Sequence, residues 1–123
     1  MSHVVTLKSQ LQDPAGVAAA CHRLGLAGPV HKTVKLFSAE ATGLAVQLPD
    51  WQYPVVIDTT SGQVRYDNYG GRWGEQGRLD AFLQAYAVEV VKAQSRRKGH
   101  TVTEQSLENG SIKLTVQVNG GAA

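Results

Sequence analysis

One segment constrains this chain more than any other. From Glu75 to Lys98 the apolar residues Leu79, Phe82, Leu83, Tyr86, Val90 and Val91 recur at intervals of three and four. That is the period of a helix with one buried stripe. Glu75 and Asp80 come early, Arg96, Arg97 and Lys98 come last, and Gly99 follows. The charge order suits the helix dipole, and a glycine suits the left-handed residue that stops a helix. Such a helix is about 33 Å long at 1.5 Å per residue, enough to cross a whole antiparallel sheet. The remaining sequence must supply that sheet.

Residues 3–9, "HVVTLKS", are β-branched and alternating, and predict a first strand. "DPAGVAAACHRLGL" predicts a shorter helix with Asp13 as its cap, Pro14 at its first position and Gly25 as its stop. Val17, Ala20, Cys21 and Leu24 form its apolar stripe. Four strands follow at 30–37, 43–49, 53–58 and 63–67. Gly62 offers a positive φ between the last two, and Pro54 makes its strand either begin there or lie at an edge. The chain closes on "HTVTEQSLENGSIKLTVQV", where Asn109-Gly110 between alternating runs signals a hairpin. A two-residue turn sets Leu107 opposite Ile112 and turns Val102 away. One bulged residue more brings Val102 round and displaces Leu107, and both registers stay open.

The expected order is therefore β-α-β-β-β-β-α-β-β. It describes an α+β fold, a mostly antiparallel sheet with two helices on one face. Residues 1–118 form a single domain, and 119–123 ("NGGAA" from Asn119) a flexible tail. At 123 residues the chain can bury one modest core. Twelve basic and ten acidic residues leave a formal charge of +2, too little by itself to imply a nucleic-acid partner. Cys21 is the single cysteine, so an internal disulfide is excluded and a reducing compartment fits. No secretion signal or membrane-length apolar run is visible, which makes a cytoplasmic location the default expectation. A strand edge such as 53–58 or the C-terminal strand could pair with a second copy, giving a homo-oligomer.

Chemistry-bearing residues are sparse. His3, His22, His31 and His100 lack ligand spacing, so no metal site and no cofactor are expected. Cys21 falls on a buried stripe, away from the electropositive exposure a reactive thiolate needs. "GGRWGEQG" precedes a helix and offers free amides, yet matches neither phosphate-loop pattern. Arg96, Arg97 and Lys98 complement a helix C-terminus, and the alternative is a phosphate-backbone contact joined by Arg72.

The densest stretch is "YDNYGGRWGE", Tyr66 to Glu75. As structure, Tyr66 faces the core, Asp67 and Asn68 make a turn, Gly70-Gly71 reverse the chain, and Trp73 lids the hydrophobic layer. As a catalytic site, Asp67 or Glu75 would be a general acid or base, but no residue to tune either is identifiable. As a binding site, Tyr66, Asp67, Asn68, Tyr69, Arg72 and Trp73 would contact a protein partner, with Tyr69, Arg72 and Trp73 as anchors of the kind enriched in interface hot spots. The binding role is the working expectation, and no catalytic residue is assigned. A small-ligand or enzyme site near the Trp73 loop is the further alternative.

In their order and spacing, "MSH", "YDNYGGRWGE", "FLQAYAVE", "RRKGHTV" and "GSIKLT" resemble the family catalogued as domain of unknown function 1257. Its cyanobacterial and plastid members are called hypothetical chloroplast reading frame 35 proteins, and this chain is most similar to the bacterial branch. The resemblance runs from Met1 to about Val118. It implies a small protein without assigned activity or catalytic residues. It also implies an adaptor or accessory role beside a ring-forming ATPase.

Overall fold

A computed structural model describes residues 4–8 and 11–118. His3 and the tail expected at 119–123 lie outside the described residues. The elements are β1 (Val4–Lys8), α1 (Pro14–Arg23), β2 (Val30–Lys35), β3 (Glu40–Val46), β4 (Val55–Asp58), β5 (Gln63–Asp67), a 3-10 turn (Tyr69–Gly71), α2 (Gln76–Arg97), β6 (Thr101–Ser106) and β7 (Ile112–Gln117). The expected α+β order holds.

The helix ends form for local reasons. Asp13 accepts the Ala15 amide at 3.0 Å, and Pro14 opens α1 without a donor to lose. The Asp13 amide in turn donates to the Tyr86 hydroxyl at 3.1 Å, which ties the start of α1 to the middle of α2. Gly25 at φ 69° and Gly99 at φ 75° follow the two helices as left-handed stops. Leu24 leaves the stripe it was assigned to: as the last residue of the first helix's cap it is 38% exposed.

Five strands form one antiparallel sheet in the order β1-β5-β4-β3-β2. Residues 53–58 were a candidate edge. Instead, β4 lies inside the sheet between β5 and β3, and Pro54 stands just ahead of its first residue. Both helices cover one face. Val17, Ala20 and Cys21 of α1 and Leu79, Phe82, Ala85 and Tyr86 of α2 pack on Val46, Val55, Ile57, Val64 and Tyr66. Phe82 has no exposed surface, and a large apolar side chain so buried contributes about 1.5–3 kcal/mol.

The other face carries a second, smaller core of Leu36, Ala41 and Val56, flanked by Val34 and Tyr53. Gly43 makes it possible. A Cβ there would run into the Ile57 carbonyl oxygen, so only glycine lets β3 press against β4 at this point. Beyond Gly43 the tip of the β2–β3 hairpin lays Leu36 and Ala41 on Val56, and Arg65 reaches over to donate to the Glu40 carbonyl at 3.0 Å.

β6 and β7 form their own two-stranded sheet. Ser106 pairs with Ile112 and Val102 with Val116, so the hairpin adopts the longer of the two open registers and leaves Leu107 40% exposed. Gly110 at φ 86° makes the bulge. Charge helps dock this hairpin on the helices. Glu104 of β6 accepts from Arg23 of α1 and from Lys92 of α2, while Glu89 of α2 faces the same two cations.

Candidate functional site: an aromatic cluster at the start of the long helix

The segment from Tyr66 to Glu75 divides into an inner and an outer layer. Tyr66, next to last in β5, enters the main core, where its ring and that of Trp51 meet edge-on at 5.7 Å. Burial pushes its phenol pKa up. Trp51 is 4% exposed, and its indole N–H donates to the Glu75 carbonyl at 3.0 Å. Asn68, also buried, acts as the spool of the turn. Its carbonyl accepts the amides of Gly71 and Trp73, both at 2.9 Å, while its side-chain amide donates to Gly74 O and Gln76 Oε1.

Tyr69, Gly70 and Gly71 then take φ values of 48°, 60° and 101°. Three successive left-handed residues swing the chain outward. Two are glycines, to which this is cheap, but Tyr69 is held there at a cost of about 1–3 kcal/mol. The swing gives the outer layer. Trp73 sits at its centre, with Tyr69 at 4.6 Å, Phe37 at 5.2 Å and Tyr53 at 5.7 Å between ring centroids, all tilted or edge-on. Arg72 places its guanidinium carbon 5.2 Å from the centre of the Tyr69 ring. Each ring pair adds about 0.5–1.5 kcal/mol beyond its area, so the cluster holds its shape. It also faces water: Phe37 is 55% exposed, Arg72 is exposed, and Tyr53, Tyr69 and Trp73 are half-buried.

The expected contact set is therefore split. Tyr69, Arg72 and Trp73 come together at the surface. Tyr66, Asp67 and Asn68 do not belong to that surface: the end of β5 and the turn that follows it bury them to 5%, 0% and 5% exposure. Phe37 and Tyr53 were missed altogether. Each lies beside a turn, but nothing in its neighbourhood points to Trp73, because the β2–β3 hairpin and the β3–β4 connection bring them there.

Asp67 stands apart in one respect. It is fully buried, and among the described residues neither carboxylate oxygen has a hydrogen-bond partner. Glu75, the other carboxylate considered for acid–base work, faces solvent as the cap residue of α2 and makes no capping bond with its side chain. Cys21 is 1% exposed and burial pushes its thiol pKa up, which suits packing rather than nucleophilic attack. Among the described residues, no three His, Cys, Asp or Glu side chains are grouped as a metal ion requires. No described helix is long and apolar enough to cross a membrane.

Arg96, Arg97 and Lys98 are exposed at the other end of α2, about 33 Å from Trp73 by helix rise. Arg72 therefore cannot extend their surface into one compact contact. Arg96 lines a shallow hollow of about 250 Å³ with Lys92, His100, Thr101 and Val102. Comparison with family models, with curated proteins and with solved structures returns no match to this chain.

Proposed function

We propose that this protein is a non-enzymatic binding or adaptor module, and that Phe37, Tyr53, Tyr69, Arg72 and Trp73 form the surface that docks a protein partner. One observation carries this. Three separate segments deliver four rings to one half-exposed cluster, and an arginine is laid on its rim. Tryptophan, tyrosine and arginine dominate the hot spots of protein interfaces because they bury large areas with few torsions to freeze. The resemblance to the domain of unknown function 1257 family adds a candidate class of partner, a ring-forming ATPase. A cytoplasmic setting belongs to the same proposal, supported by the single buried thiol.

A capture experiment with the wild-type chain and the Arg72→Ala/Trp73→Ala double variant tests it. The double variant should remain folded and lose its specific partners. An unchanged set of partners from the folded variant would overturn the docking role.

A second reading has its own observation. Arg96, on the wall of the hollow, is exposed together with Arg97 and Lys98, and three cations at one helix end suit a phosphate backbone. It expects binding to a nucleic acid that weakens steeply with salt. A mobility shift that is absent at low salt would dispose of it.

A further inference from the structure

We propose that Asp67 is the counter-charge for a basic side chain, lysine or arginine, which the protein partner inserts beneath the rim of the aromatic cluster. The inference rests on the docking role proposed above and names the chemistry of its central contact.

A carboxylate with no exposed surface and no hydrogen bond is among the most expensive groups a fold can keep. Two polar side chains near it in its own segment are turned elsewhere. Arg65, two residues away on the same face of β5, donates to the Glu40 carbonyl, and the side-chain amide of the adjacent Asn68 donates to Gly74 and Gln76. Among the described residues, Asp67 is thus left without a hydrogen-bonding partner.

Its place in the sheet ties it to the aromatic cluster. Tyr66 points into the core under the helices, so Asp67 leaves β5 on the opposite face. Val56, paired with Arg65, lies on that face, and Tyr53 packs there and meets Trp73. Tyr69 follows two residues later in the turn that closes this end of the strand. The rings already show that they accept a cation, since Arg72 rests on the Tyr69 face. A partner's basic side chain would find aromatic faces for its stem and charge and, once the turn over this end of β5 has moved, a carboxylate whose two buried oxygens have no hydrogen bond among the described residues. Entry needs the Tyr69–Gly71 turn to shift. Gly70 and Gly71 change torsions at little steric cost, and the shift releases Tyr69 from its left-handed conformation.

The test is a titration of the isotope-labelled full chain, followed at the Trp73 indole N–H by NMR. The probes are acetylated, amidated pentapeptides with a central arginine or lysine between glycines, their citrulline and norleucine counterparts, and free agmatine. The expected result is a saturable shift with the basic peptides, none with the neutral ones, and at least a tenfold weaker response in Asp67→Asn. Asp67→Asn should also melt at or above the wild-type temperature, because it removes an unpaired buried charge. No saturable shift with either basic peptide overturns the proposal, as does an equal response in Asp67→Asn or a lower melting temperature for that variant. A response to agmatine without one to the peptides overturns the assignment to a protein side chain. If Asp67→Asn keeps partners that Arg72→Ala/Trp73→Ala loses, docking stands and the counter-charge role falls.

Discussion

Gly74 lies so close against the ring of Trp51 that a Cβ at position 74 would overlap the indole. The two are locked by their surroundings as well. The Trp51 indole donates to the Glu75 carbonyl, and the Gln52 amide donates to the Trp73 carbonyl at 2.8 Å. The buried tryptophan thereby fixes where the exposed one begins its turn into solvent.

Gly74→Ala should consequently destabilise the fold by about 1–3 kcal/mol, the usual cost of forcing a methyl group into a packed site. Urea unfolding should show a lower midpoint with an unchanged slope. Partner capture should fall with it, because the Trp73 ring would lose its seat. A neutral effect would mean that Trp51 moves freely, contrary to the packing described.

Leu36 and Phe37 are neighbours with opposite tasks. Leu36 is 1% exposed in the small core on Val56, whereas Phe37 is 55% exposed beside Trp73. Leu36→Ala should cost about 2–5 kcal/mol in stability. Phe37→Ala should cost only about 0.5–1.5 kcal/mol, the worth of its ring pair with Trp73, yet weaken partner binding. Calorimetry paired with a binding assay separates the two.

Glu104 should make the docking of the C-terminal hairpin sensitive to acid. Hydrogen bonds from Arg23 and then from Lys92 hold its carboxyl pKa at about 2, against an ordinary 4.5. The unfolded chain therefore binds this proton more readily than the folded one. Its contribution is complete above about pH 4.5 and lost as the pH falls through about 2. With its side chain 27% exposed, screening limits the contribution to about 1 kcal/mol. Glu104→Gln should flatten the decline of stability over that range, and salt should weaken the wild type more than the variant.

Cys21 should resist modification while the protein is folded. It is buried, and burial raises its pKa, so little thiolate is available and little of it can be reached. A thiol-reactive dye should label it at the rate of global unfolding. Rapid labelling of the native protein would show that α1 detaches locally.

Much of this architecture was legible in the sequence, for local reasons. Asp13-Pro14, Gly25 and Gly99 mark helix ends because caps need only their nearest amides and carbonyls. Helical spacing placed Leu79, Phe82 and Tyr86 on one stripe, and they are buried together. The hairpin at Asn109-Gly110 was visible, though its register depended on which residues the helices would cover. The outer cluster was legible by half. Tyr69, Arg72 and Trp73 share a loop, but Phe37 and Tyr53 join them only through the pairing of β2, β3 and β4, which the close approach of Gly43 to Ile57 permits. Asp67 was misjudged for a related reason. The strand expected at 63–67 does end on it, but its place in the contact set fails because β1 pairs alongside, with Val4 opposite it, and the residue is buried.

The two indoles, one sealed and one at the surface, make the molecule its own optical instrument. Emission from Trp51 is shielded from aqueous quenchers and follows the integrity of the interior. Emission from Trp73 follows whatever arrives at the rings around it. A Trp51→Phe form would isolate the second signal, so that occupancy could be followed in solution with no dye attached.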